Sequence, residues 1–187
     1  MANIETQTKI GLISNALVLC GEKPLVSLSD NRYGATVGAA MFEMLYENEL
    51  QSNRWRFACT KRSLSRLNSA PINEWQYAYQ MPTDMLLPIG IYGRVDYELY
   101  GKHLYTNETS VILEFMFKPD ITWLPAYFST LMTYSLARDM VKPITESDTA
   151  VTIMRDKYRM QRDRALYADA QGRPNRSVQS SPFTEIR

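Results

Sequence analysis

The stretch YENELQSNRWRFACTK, residues 46–61, marks the point where the hydrophobic pattern of the chain changes. Before it, and again after residue 120, apolar residues recur every three or four positions, which predicts helices; between these regions they recur every second position, which predicts strands. We therefore expect an α+β fold in which four helices from both chain ends form one layer and a small antiparallel β sub-domain is inserted between them. The predicted boundaries are 1–53 and 120–171 for the helical domain, 54–119 for the β-rich insert and 172–187 for an extended C-terminal arm.

The composition indicates a soluble globular protein without a strong charge. The 21 Lys and Arg residues balance 20 Asp and Glu residues, so the net charge of +1 gives no field that would hold nucleic acid or an anionic membrane. No apolar run approaches the ~20 residues of a membrane span, and the start has no basic region followed by an apolar one, so we expect no membrane association and no secretion by that route. Cys20 and Cys59 lack metal-ligand spacing and are expected to be reduced core thiols.

Two helices are predicted before the change of pattern. The first runs from about residue 6 to residue 20, and Gly21 provides its C-terminal cap. The second runs from about residue 34 to residue 52, with Asp30 or Asn31 as its N-cap. Gly34 and Gly38 near its start allow another backbone to approach closely, either inside the protomer or from another subunit.

Alternating apolar residues predict the strands of the insert. The first begins at Arg54 and has Trp55, Phe57 and Cys59 on one face. Later strands are predicted at residues 75–81, 95–99, 103–105 and 111–117, with a turn at Gly101. Because short turns connect these strands, the sheet should be mainly antiparallel, as in a small sandwich or an open barrel.

Two further helices follow residue 120. One begins at residues 123–125 and ends at residues 142–143, where Pro143 stops it. The other is predicted to be the longest and to begin at a capping-box-like pair, Thr145 and Asp148. Its apolar stripe is expected to pack against the protomer's own helices, and the alternative is contact with a neighbouring chain. The residues that would form this second kind of contact are Val151, Met154, Arg155, Tyr158 and Arg162.

The sequence carries no recognisable catalytic signature. It has no glycine-rich phosphate loop, no His-Glu-x-x-His and no paired-cysteine motif, so we expect neither an enzyme nor a cofactor. The only histidine, His103, lies beside a predicted turn and is interpreted as a hairpin residue rather than a general base. A weaker alternative is that Asp96, Glu98 and Glu114 lie on adjacent strands and bind a divalent ion as part of an active site.

The main alternative function is that of a module for single-stranded nucleic acid. Aromatic side chains on a sheet would stack the bases, while Arg54, Arg56 and the basic residues between 155 and 164 would hold phosphates. The stacking residues would be Tyr77, Tyr79, Tyr97 and Tyr105. Acidic residues within the stretch 155–164 favour a plain solvated helix face instead.

Five segments form a series with a recognisable order: LVLCGEKPL (17–25), NRWRFA (53–58), WQYAYQMPTD (75–84), WLPAYF (123–128) and KPIT (142–145). Together they resemble the head-to-tail connector family of short-tailed bacteriophages, the adaptors also called tail tubular protein A. The resemblance covers nearly the whole chain, and it departs at Asn53-Arg54, where many members carry Pro or Gly before the tryptophan. The motif and core residues that carry it are Trp55, Phe57, Trp75, Tyr77, Tyr79, Pro82, Trp123, Pro125 and Pro143.

This resemblance implies a structural protein of the virion tail or neck, present in the host cytoplasm during assembly. Members form a ring, usually of twelve copies, that binds beneath the portal protein, continues the channel for genomic DNA and provides the platform for the tail nozzle. The helical domain is then expected to build the ring and the β-rich insert to face the tail, while DNA passes without specific binding. The arm is expected to reach up the portal, where many weak copies would give avidity. Its implied portal contacts are Arg173, Pro174, Arg176, Phe183, Ile186 and Arg187.

Overall fold

A computed structural model describes residues 8–172 except 26, 28, 29, 70, 73 and 94. The four helices are α1 (Lys9–Leu19), α2 (Tyr33–Gln51), α3 (Ala126–Thr145) and α4 (Asp148–Gln171). The six strands are β1 (Cys59–Ser63), β2 (Tyr77–Gln80), β3 (Met85–Ile91), β4 (Tyr97–Tyr100), β5 (His103–Thr106) and β6 (Ile112–Phe117). These helices and two small antiparallel sheets confirm the predicted α+β class. Of the predicted arm, only Gly172 lies within the described residues.

The helical layer is organised around α3, which packs against α1, α2 and α4. Its core contains fully buried side chains from these helices, among them Phe42 and Phe128. A Cβ atom at Gly38 would lie 2.6 Å from Cγ2 of Ile13 and 3.0 Å from Cε of Met140. The close approach that the small residues predict therefore occurs inside the protomer. None of the helices in the described part of the chain has the length and apolar character that crossing a membrane would require.

The beginnings of α1 and α2 are formed differently. The hydroxyl of Thr8 accepts a hydrogen bond from the Gly11 N–H at 3.1 Å, which is a regular N-cap. The N-cap of α2 is Arg32, which makes no side-chain capping bond, so the predicted cap at Asp30 or Asn31 is wrong. Asp30 lies too far ahead of the first turn to cap it, and its carboxylate instead accepts bonds from the N–H and Nε of Arg32.

The boundary between α3 and α4 also differs from the prediction. Helix α3 continues through Pro143 to Thr145, because a proline this close to the end removes only one intrahelical hydrogen bond. Its C-cap is Glu146, whose φ of 55° lies in the left-handed region. Ser147, and not Thr145, caps α4 by accepting a bond from the Ala150 N–H at 3.3 Å. At 24 residues, α4 is the longest helix, as predicted.

The six strands form two antiparallel sheets with the orders β1-β6-β3 and β2-β5-β4. Residues from both sheets share a second hydrophobic core, to which β2 contributes Tyr79, β5 contributes Leu104 and β6 contributes Phe115. The sequence pattern missed β3, which contains Pro88 and Gly90 and shifts its register against β6. This position is physically consistent, because β3 is an edge strand and a proline can be accommodated there.

The first predicted strand begins five residues too early. Residues Arg56–Ala58 form a 3-10 helix, and β1 starts only at Cys59. The alternation of Trp55, Phe57 and Cys59 is real, but Trp55 and Phe57 pack against the helical core and not against a second sheet. The N–H of Arg56 donates to the carboxylate of Asp169 on α4 and so has no strand partner.

Candidate assembly site

Four aromatic side chains meet where α2 passes into the β-rich insert, and we call this cluster the aromatic junction: Trp55, Phe57, Tyr127 and Phe128. Trp55 and Phe128 are fully buried, and their ring centroids lie 5.2 Å apart in an edge-on arrangement. Phe57 lies 4.8 Å from Phe128 and 6.2 Å from Tyr127, again edge-on. Such geometry is favourable for aromatic pairs and holds the start of α3 against the chain between α2 and β1.

A buried glutamate supports the aromatic junction from the α2 side. The backbone carbonyl of Glu49 accepts hydrogen bonds from Nε1 of Trp55 at 2.8 Å and from the hydroxyl of Ser52 at 2.9 Å. Its side chain is only 2% exposed, and Oε1 accepts bonds from the hydroxyls of Ser135 (2.7 Å) and Tyr158 (2.9 Å). One residue of α2 therefore connects α3, α4 and the tryptophan.

A second buried carboxylate supports the junction from the α4 side. Asp169 accepts a bond from the Tyr127 hydroxyl at 2.7 Å as well as those from the Arg56 N–H. Two causes raise the pKa of Tyr127: burial of its side chain has the larger effect, and the hydrogen bond to Asp169 has the smaller one. A Cβ atom at Gly172 would lie 2.8 Å from Nη1 of Arg56, so the end of α4 lies close to the residue between Trp55 and Phe57 in the chain. The predicted arm consequently departs beside the entry to the β-rich insert.

The metal-site alternative is not supported by the arrangement of its residues. Glu98 lies on β4 and Glu114 on β6, which belong to different sheets, so they are not on adjacent strands. Glu114 pairs with Arg54 at 2.7 Å, while Glu98 accepts a bond from Nε1 of Trp75 at 2.9 Å. Within the described residues, no group of three or more His, Cys, Asp or Glu side chains could hold a metal ion.

The predicted base-stacking surface is also wrong, because its tyrosines do not share an exposed face. In the β2-β5-β4 register, Tyr77 and Tyr97 flank Thr106, on the same side of the sheet as Tyr79. That side faces the second hydrophobic core, and Tyr79 is 1% exposed with its hydroxyl donating to the Glu108 carbonyl. Only Tyr105 of the proposed set lies on the opposite face, where it contacts His103 edge-on at 6.3 Å between ring centroids.

The residues of the family resemblance divide between the two cores and the surface. Trp55 and Phe57 belong to the helical core; Tyr77 and Tyr79 belong to the second core. Pro125 is the N-cap of α3, and Pro143 lies inside that helix. Trp75 and Pro82 are half-buried within the insert. Trp123 is 77% exposed and belongs to neither core.

The apolar residues proposed for a ring interface on α4 are occupied within the protomer. Met154 is buried, and Val151 and Tyr158 pack against the helical core. Of the two arginines in that set, Arg155 is exposed and Arg162 is half-buried. The exposed apolar residues of α4 lie elsewhere, at Ile153, Met160 and Tyr167. The six predicted portal contacts of the arm, residues 173–187, lie outside the described residues.

Sequence reasoning missed two kinds of residue. Glu49 and Asp169 become important only because the fold buries them, and neither has a local pattern that distinguishes it from a surface acid. The exposed apolar side chains of α4 could have been found, because they recur every seven residues in addition to the stripe that faces the core.

No protein-family model matches the chain, and no curated protein sequence matches it.

The aromatic junction is closed to solvent at its centre, where Trp55 and Phe128 are wholly buried. What it can do is mechanical: it fixes the end of α4, the start of α3 and the entry to the insert relative to one another.

Proposed function

We propose that this chain is a structural subunit of a bacteriophage head-to-tail adaptor, a ring beneath the portal that continues the DNA channel and carries the tail nozzle. The observation that carries the proposal is that two of the segments resembling the connector family, 53–58 and 123–128, pack together in the aromatic junction. These two segments are far apart in the sequence, and their contact joins the helical core to the entry of the β-rich insert. That contact is a structural reason for both segments to occur in the same chain.

The division of the fold supports the same proposal. A helical core built from both chain ends is suited to packing side by side in a ring, and an insert with its own core can extend towards a coaxial neighbour. Gly172, from which the arm departs, lies beside the side chain of Arg56.

Trp123 is the residue we assign to contact with a neighbouring protein of the assembly. It lies in the short 3-10 helix Ile121–Trp123 directly before α3, and its 77% exposure is unusual for so large an apolar side chain. Tryptophan is enriched among the residues that contribute most to protein interfaces. We expect Trp123→Ala to weaken assembly at least tenfold, as the loss of such a residue does.

The test is the mass of the purified chain, measured alone and with the portal protein of the same phage. Binding as a twelve-copy ring would add about 259 kDa to the portal, twelve times the chain mass of 21.6 kDa. The same measurement on a chain that ends at residue 171 tests the arm, and an unchanged circular dichroism spectrum shows that the truncated chain is folded. Absence of any complex between the full chain and the portal would refute the adaptor function; normal attachment of the truncated chain would refute only the role of the arm.

A titration with single-stranded DNA at two salt concentrations separates this function from nucleic-acid binding. An adaptor that lets DNA pass should show weak binding at both concentrations. Tight binding at low salt that falls steeply at high salt would instead indicate phosphate contacts.

A further inference from the structure

Helix α4 has a second apolar strip, which faces away from the protomer. Ile153, Met160 and Tyr167 are 48%, 58% and 70% exposed, and we call these three residues the outer strip. They are spaced seven residues apart, which corresponds to two helical turns and places them nearly in line along the helix. Met154 and Ala165, the buried apolar residues of α4, point to the other side. The outer strip therefore lies outside the helical core.

Charged residues flank the outer strip with opposite signs. At about 100° per residue, Asp156 and Asp163 lie to one side of Met160, and Lys157 and Arg164 lie to the other. Each pair is again seven residues apart, so the strip has an acidic flank and a basic flank along the same length. Asp156 has one intrahelical partner, Arg159, at 3.7 Å, and the other three have no ion pair within the described residues.

This pattern is complementary to itself in one orientation only. When two identical helices pack face to face in parallel, the left flank of one meets the right flank of the other, so acids meet bases. When they pack antiparallel, equal flanks meet, and Asp156 would face Asp163 while Lys157 would face Arg164. Charges beside an apolar seam determine partner and orientation in this way in helical pairs.

We propose that the outer strip is a site for self-association, in which α4 of a second copy of this chain packs in parallel against it. Asp156 of each copy then lies beside Lys157 of the other, Asp163 lies beside Arg164, and the three apolar side chains form the seam. A different partner would have to supply both an apolar strip and the matching charge order, whereas a second copy already has them. Parallel pairing also places Gly172 of both copies at the same end, so both arms depart together. Because this two-fold pair is a closed contact, it is separate from the contacts between neighbours in the proposed ring, and the proposal does not depend on the adaptor function.

Sedimentation equilibrium of the full-length chain over a range of concentrations tests the pairing. We expect a reversible dimer, with a dissociation constant at least tenfold higher in Met160→Glu, where a carboxylate enters the centre of the seam. A chain that stays monomeric at the highest concentration, or a dimer that Met160→Glu leaves unchanged, would overturn the proposal. Each variant must have the melting temperature of the wild type, so that a weaker dimer is not the result of unfolding. We expect this because the replaced side chains are exposed.

Charge variants test the orientation. Lys157→Asp places two acids together in the parallel pair and should weaken it several-fold, whereas in an antiparallel pair the same change would face Arg164 and strengthen it. The double variant Asp156→Lys, Lys157→Asp should restore the wild-type dissociation constant, because each new base again meets a new acid. Arg155→Asp is the matched control: it changes the net charge by the same amount on the same helix but lies well away from the seam. A control that weakens the dimer as much as Lys157→Asp does would show a general charge effect and contradict the assigned contacts.

Discussion

Replacing Trp55 with phenylalanine tests whether the aromatic junction stabilises the fold in the way the contacts indicate. The indole is fully buried, so the smaller ring leaves a space of roughly 40 Å³, which costs about 1 kcal/mol at about 24 cal/mol per Å³. The variant also loses the bond from Nε1 to the Glu49 carbonyl. That carbonyl keeps its bond from Ser52, so we assign about 1 kcal/mol to this loss and not the full penalty of an unpaired buried group.

The expected decrease in the free energy of unfolding is therefore about 2 kcal/mol, which corresponds to a fall in melting temperature of about 4–8 °C for a chain of this size. Urea unfolding followed by far-UV circular dichroism measures it without relying on tryptophan fluorescence, which the substitution itself changes. Trp123→Ala is the matched control, because this tryptophan is 77% exposed and its removal should change the free energy of unfolding by less than about 0.5 kcal/mol. A neutral Trp55→Phe variant, or a Trp123→Ala variant that is equally destabilised, would refute this description of the junction.

Three further predictions concern other parts of the fold. Gly38→Ala should lower the melting temperature despite the better helix propensity of alanine, because the new methyl group would come within 2.6 Å of Ile13; a higher melting temperature would show that the helices can move apart easily. Iodoacetamide at pH 8 should modify Cys59 before Cys20, since Cys20 is 8% exposed and burial raises its pKa to about 11; mass spectrometry of digested protein follows both thiols, and the reverse order would contradict the packing around Cys20. The bond from Arg62 holds the pKa of Asp84 below its usual range, so the stabilisation from this pair is present above the unfolded pKa of about 3.9 and is lost as the pH falls further. Because both side chains are largely exposed, Asp84→Asn should cost less than about 1 kcal/mol at pH 7 and less still at pH 2, and a cost that is the same at both pH values would exclude the ion pair as its source.

The buried acids Glu49 and Asp169 give the aromatic junction directional hydrogen bonds, which an apolar cluster would lack. Glu49 and Asp169 each accept bonds from residues on other elements, so their geometry is directional, and a shift of α4 along α3 would break several bonds together. Such directional contacts hold the relative positions of elements more tightly than apolar packing does. This is a useful property for a subunit whose proposed role depends on where its surfaces lie.

The period of the hydrophobic pattern allowed the sequence alone to predict the α+β class, the β4–β5 hairpin and the rank of α4 as the longest helix. These features depend on local spacing, which is visible in the chain without its fold. Only the tertiary structure could place Trp55 in the helical core instead of a strand face, because its alternation with Phe57 is the same in either setting. It also decided that three of the four tyrosines face inward and that Trp123 faces solvent, since the strand register and the neighbouring core, not the residue type, determine which side is covered. Glu49 and Asp169 illustrate the same limit: an acid is bonded and buried only when distant segments bring hydroxyl and amide donors to it.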